Sequence, residues 1–120
     1  MQRMVHTNAF AFGGTGRAGV ISQGEKDFRI ILSQPASVAV ADFERIYTSG
    51  NSEAKSYALV GIRRLDRARF EELVKSIKGS KEVVTTMEGC IIEDRLLFKV
   101  ARDINSGRYD PWRRHQDQSH

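Results

Sequence analysis

Residues 54–77 read AKSYALVGIRRLDRARFEELVKSI. Ala54, Tyr57, Ala58, Gly61, Ile62 and Leu65 recur at spacings of three, one, three, one and three. That rhythm keeps one face of a helix apolar over three turns. The small side chains of Ala54, Ala58 and Gly61 allow a neighbouring helix to approach closely. Asp66 follows as an N-cap for the next helix, accepting from its free amides. Leu65 before it and Phe70 within it form a hydrophobic staple. Phe70, Leu73, Val74 and Ile77 supply the second apolar stripe, and Gly79 ends it. The stretch predicts a tight αα-hairpin.

The same reading extends outward. Ser22 and Glu25 have the S-x-x-E form of a capping box, and Phe28, Ile31 and Leu32 follow at helical spacing. Pro35 ends that helix and suits the first turn of the next, whose stripe is Ala39, Phe43, Ile46 and Tyr47. Ser49-Gly50-Asn51 breaks it. Towards the C-terminus Leu96, Leu97, Val100, Ala101 and Ile104 form a fifth stripe, with Asp94 as its expected cap and Gly107 and Pro111 as its stop. Residues 83–92, VVTTMEGCII, are open to two readings: β-branched residues favour an extended piece, Gly89 interrupts it, and a helical turn fits as well.

These elements predict an all-α fold: a compact bundle of about five helices with HEAT-like helical hairpins and at most one short extended segment near residues 83–92. No internal repeat supports a true solenoid. Gly13, Gly14, Gly16 and Gly19 predict a flexible Gly-rich arm over residues 1–20. Residues 21–112 form the expected single helical domain and 113–120 a polar tail.

Composition sets the outer bounds. The chain has 120 residues, 40% hydrophobic and 28% charged, as in an ordinary globular domain. No run approaches the apolar length of a membrane-spanning helix. The net charge is +4, and 13 of the 19 basic side chains fall in residues 61–120, interleaved with acids. The single cysteine, Cys90, excludes an intramolecular disulfide, and the three histidines, His6, His115 and His120, have no metal-ligand spacing. No metal and no cofactor is expected. Cys90 reads as a small buried side chain, since no histidine in an ordered region would activate it as a nucleophile.

Ala9-Phe10-Ala11 has the small–x–small form of a signal-peptidase site, but only eight residues precede it and none forms an apolar run. The expected location is cytoplasmic if Met1 is the true start, and periplasmic or secreted if Ala9–Ala11 closes a longer leader.

Four further features bear on function. Gly14-Thr15-Gly16-Arg17-Ala18-Gly19 matches G-x-G-x-x-G, and a dinucleotide fold would then need a second strand at Val38–Asp42. Pro35 and the 39/43/46/47 stripe favour a helix there instead. Arg63, Arg64, Arg67 and Arg69 cluster about the Leu65–Asp66 junction, where a phosphate or an acidic partner would dock; the plainer reading is a solvated corner with Arg67–Glu71 and Glu71–Lys75 as i,i+4 pairs. Arg108-Tyr109-Asp110-Pro111-Trp112-Arg113-Arg114 has the composition of an interface anchor, with Trp112 folding back on the core as the alternative. Glu71, Glu72, Glu88, Glu93 and Asp94 alternate with basic residues on polar faces, which is poor material for a catalytic carboxylate pair.

The stretches Lys55-Ser56-Tyr57-Ala58-Leu59-Val60-Gly61, Phe70-Glu71-Glu72-Leu73 and Thr86-Met87-Glu88-Gly89-Cys90-Ile91 resemble small, mostly helical bacterial proteins without an enzymatic assignment. Some proteins of that kind are immunity proteins encoded beside antibacterial toxins. The resemblance covers roughly residues 20–110 and rests on core-type residues, so it implies fold more than function and carries over no catalytic residue. Inhibitors of nucleases are typically acidic, to complement a basic toxin. This chain is basic, so the target implied is an acidic surface.

The expectation is therefore a non-enzymatic protein-binding domain of immunity or inhibitor type, with a partner such as a toxin bearing an acidic surface. Its expected contact residues are Arg63, Arg64, Arg67, Arg69, Tyr109, Trp112 and Arg113. A small basic nucleic-acid-binding module is the alternative, although no aromatic interleaves with the arginine cluster. An exported helical protein of other role is a third.

Overall fold

The computed structural model describes residues 9–12, 14–15, 20–21, 23–88 and 91–109. Among the described residues five helices run in chain order: α1 Gln23–Leu32, α2 Ala36–Ser49, α3 Ser52–Leu65, α4 Arg67–Ser76 and α5 Leu97–Asn105. Two short antiparallel ladders accompany them. β1 Gly14–Thr15 pairs with β2 Val20–Ile21, and β3 Val83–Glu88 pairs with β4 Ile91–Leu96. The result is the expected mostly helical bundle with a short extended segment.

α3 is the axis of the bundle. It packs against α1, α2, α4, α5 and β3, and every residue from Ser56 to Ile62 is buried. A helix buried on all sides belongs at the centre. Gly61 shows why a small side chain is needed there: a Cβ at that position would lie 2.3 Å from Phe43 Cε2 of α2. Gly24 on α1 is pressed against the Tyr57 ring in the same way, at 2.4 Å.

The caps follow the chemistry of the sequence. Asn51 accepts from the Ala54 amide at 2.9 Å and opens α3. Asp66 accepts from the Arg69 amide at 3.1 Å and opens α4, while its own amide closes α3 onto the Ile62 carbonyl. One residue thus turns the αα-hairpin. Gly107 takes a φ of 90° directly after α5, a conformation glycine adopts without a Cβ penalty.

β3 and β4 form an antiparallel pair that reaches beyond the expected segment, in the register Val83↔Leu96 through Glu88↔Ile91. Val84 and Thr86 face inward and are buried. Asp94, expected to cap the fifth helix, lies instead in β4. α5 begins one residue after the strand ends, with Leu96 at the capping position and no side-chain cap.

The larger departure is at the N-terminal side. Phe10, Ala11 and Phe12 do not belong to a loose arm: they are buried at 0%, 1% and 4% exposure. Phe10 pairs in parallel with Thr86, its amide donating to Thr85 O at 2.8 Å and its carbonyl accepting from Met87 N at 3.2 Å. It therefore adds a third strand position to the hairpin. The Phe10 ring lies 5.0 Å from Tyr57 and 4.7 Å from Tyr109, and Phe12 lies 5.1 Å from Phe28. These rings join the N-terminal segment, α1, α3 and the turn after α5 in one aromatic core. Val38–Asp42, the second strand that a dinucleotide fold would require, is part of α2. Ser22, Cys90 and the three histidines lie outside the described residues.

Candidate functional site

The arginine corner divides on inspection. Arg69 grips Glu44 of α2 through two hydrogen bonds, Nε to Oε2 at 2.8 Å and Nη2 to Oε1 at 3.1 Å, and also reaches Glu72 at 3.3 Å. The hydrogen bonds and charge of Glu44 raise the Arg69 pKa above the ordinary guanidinium value. Arg67 turns the other way, to Asn105 Oδ1 at 3.1 Å beyond α4, and lies 4.0 Å from Glu71. Arg63 is half-buried and Arg64 exposed. Arg69 and Arg67 thus tie α4 to α2 and to α5, and the expected Arg67–Glu71 pair is present at long range.

Tyr109 requires a correction. It is a core residue, 2% exposed, and not a surface anchor. Its ring is covered by Phe10, and its hydroxyl accepts from Arg95 Nη1 at 2.7 Å. Burial raises its pKa, and the charges of Arg95 and Arg108 only partly oppose that. Trp112 and Arg113, the other expected anchors, lie outside the described residues.

Around Tyr109 the structure assembles a cationic cluster that local sequence does not reveal. Arg95 stands on the inner face of β4 and donates to both Tyr109 and Asp103 of α5. Burial disfavours its charge, but Asp103 and Tyr109 outweigh this and its pKa is raised. Arg108 bridges Asp103 at 3.1 Å and Glu88 at 2.7 Å. Asp103 is therefore shared between two guanidiniums.

Beside this network lies an open pocket of about 390 Å³, lined by Arg95, Lys99, Arg102, Asp103 and Ser106. Lys99 and Arg102 are exposed and project from the same side of α5, three residues apart. Among the described residues neither makes an ion pair. The pocket thus carries three cationic side chains against the one carboxylate of Asp103, and that carboxylate is already engaged.

The candidate acids stand apart. Glu71, Glu72, Glu88, Glu93 and Asp94 are all exposed. Glu72 pairs with Arg69, Glu88 with Arg108, and Asp94 accepts from the Thr85 hydroxyl at 3.0 Å. The carboxylates buried among the described residues are Glu25 and Asp27 on α1; the sequence marks Glu25 only as part of a capping box and Asp27 not at all. Glu25 receives two hydrogen bonds from Arg29, at 3.0 and 2.7 Å, and Asp27 receives one from Gln23 at 3.0 Å. Among the described residues no three His, Cys, Asp or Glu side chains converge as metal ligands, and no helix is long and apolar enough to cross a membrane.

Comparison of the chain with protein-family models, with curated proteins and with solved structures gives no match.

Proposed function

We propose that the protein is a non-enzymatic binding domain of immunity or inhibitor type that recognises an acidic protein surface through the β4–α5 face. The observation that carries this reading is the pair Lys99 and Arg102, exposed beside the partly buried Arg95 in a pocket with excess positive charge. A cation left without an internal partner is available for charge-assisted hydrogen bonds to a carboxylate. Arg67 and Arg69, by contrast, have internal partners and serve the packing of α4. The rigid bundle beneath the pocket holds the cations in fixed positions, which lowers the ordering cost of association. The immunity-type element of the proposal draws on the resemblance of segments 55–61, 70–73 and 86–91 noted above.

The test is affinity capture from nuclease-treated extract of the native host, using the full chain and its Lys99→Glu/Arg102→Glu variant as paired baits. A protein retained by the first and lost by the second supports the reading, as does loss of that protein's activity when the chain is added in equimolar amount. Capture seen only in a parallel untreated extract moves the function to nucleic acid. Equal retention by both baits rejects the β4–α5 face.

A further inference from the structure

The two edges of the hairpin are treated very differently. On the β3 side, Thr85 N donates to the Glu53 carboxylate at 2.7 Å, while Phe10 takes up Thr85 O and Met87 N. That edge is occupied at Thr85 and Met87. In an antiparallel ladder, successive residues direct their main-chain groups alternately to opposite sides. Since Thr85 and Met87 face Phe10, Val84, Thr86 and Glu88 face β4. Their register partners Arg95, Glu93 and Ile91 face back. The N–H and C=O groups of Ile92 and Asp94 therefore point away from the sheet. Among the described residues no strand pairs with them.

The side chains on this open edge are also sorted by face. Ile92 and Leu96, 61% and 38% exposed, lie on the outer face, opposite Met87 and Val83. Arg95 lies on the inner face and leads into the pocket with Lys99 and Arg102. Glu93, exposed, shares that inner face two residues away.

We infer that β4 accepts an extended acidic segment of a partner protein as an added strand, with a carboxylate side chain of that strand seated between Arg95, Lys99 and Arg102. This rests on the proposed recognition of an acidic surface and specifies how the contact is made. The main chain of Ile92 and Asp94 supplies the strand-to-strand hydrogen bonds, and alternation of side chains gives selectivity. The inward residue of the incoming strand beside Arg95 meets the cations, its inward neighbour meets Glu93, and those that face outward meet Ile92 and Leu96 on either side of Asp94. The motif selected carries an acidic residue beside Arg95 and apolar residues beside Ile92 and Leu96.

A second copy of this chain is a poorer occupant. Two-fold pairing of β4 with itself sets Glu93 against Glu93 or Asp94 against Asp94 when centred on those residues, and when centred on Ile92 it leaves Asp94 without a partner inside β4. Like charges directly opposite one another destabilise a strand pair.

The probe is an acetylated, amidated, fluorescein-labelled hexapeptide alternating glutamate and valine, compared by anisotropy with its lysine counterpart and with a form N-methylated on alternate residues. The full chain is expected to bind the glutamate peptide at least tenfold more tightly than the other two. Lys99→Glu/Arg102→Glu should weaken that binding tenfold or more. Ile92→Pro should also abolish it, because its amide is not used by the β3–β4 ladder; circular dichroism reports whether this variant folds, and the N-methylated peptide tests the same hydrogen bonds without it. Equal binding of the acidic and basic peptides, undiminished binding of the N-methylated form, no binding at about 1 mM, or self-association of the chain in sedimentation would each overturn the inference. If the peptides fail while the paired baits still differ, acidic-partner recognition stands and strand addition falls.

Discussion

The Tyr57 hydroxyl holds Ala11 by both main-chain groups, accepting from its amide at 2.9 Å and donating to its carbonyl at 2.7 Å. The two residues are 46 positions apart in the chain, and both are buried. A phenol is suited to this task because one oxygen both donates and accepts. The central helix thereby fixes the strand that carries Phe10 and Phe12 into the core.

Tyr57→Phe is expected to destabilise the fold by about 1–3 kcal/mol, the cost of leaving buried polar groups unsatisfied. Urea denaturation measures the loss. Hydrogen exchange should show faster opening at the Met87 amide, which bonds to Phe10, than at the amides of α4. A change below about 0.5 kcal/mol, within the range of an ordinary surface substitution, would mean that Tyr57 does not hold the strand.

Gly61→Ala separates propensity from packing. Alanine is favoured over glycine inside a helix by about 1 kcal/mol. Here the new methyl meets the buried Phe43 ring, and overpacking costs about 1–3 kcal/mol. The expected outcome is a lower melting temperature, recovered in part by adding Phe43→Leu. A stabilised Gly61→Ala protein would show that α2 and α3 are less closely seated than described.

Tyr109 gives a pH signature. Its pKa is raised in the fold by burial, against the opposing charges of Arg95 and Arg108. Between the unfolded tyrosine value, about 10, and the higher folded value, the unfolded chain loses a proton that the folded chain keeps. Stability contributed by this group is complete below pH 10 and is lost as pH rises through the folded pKa. Denaturation midpoints should therefore decline above pH 10, and Tyr109→Phe should flatten the decline. Ultraviolet titration should lose a late-ionising tyrosine component in that variant.

Arg69 and Lys99 should behave oppositely. Arg69→Ala removes the grip on Glu44 and is expected to lower the melting temperature without changing retention of the captured partner. Lys99→Ala should leave the melting temperature in place and weaken retention. Calorimetry and capture on the same two variants check this, and reversed results would return the binding surface to the arginine corner.

The αα-hairpin was legible because two strong periodicities meet at Asp66, where a single side chain closes the argument locally. The hairpin at residues 83–96 was half legible. Its β-branched residues point to extension, but Glu93, Asp94 and Arg95 resemble the polar start of a helix, and only pairing with Val84–Thr86 makes them a strand. Phe10–Phe12 was obscured by the glycines that follow, and its ladder partner Thr86 lies far along the chain. Tyr109 sits among arginines, so composition suggests a surface; the Phe10 ring decides its burial. The cationic pocket was not legible at all. Lys99 and Arg102 look like any polar helix face until the β3–β4 register carries Arg95 beside them.

The strand at Phe10 also has a consequence for biosynthesis. It emerges early from the ribosome, yet its ladder partner is Thr86 and its covering ring is Tyr109. Phe12 has Phe28 and Tyr57 to pack on once α3 has been made, but the ladder bonds of Phe10 and its contact with Tyr109 wait for later residues. The helical hairpin built on Asp66 can form during elongation, whereas closure of the aromatic centre must wait for Tyr109, which leaves one side of the Phe10 ring uncovered in that interval.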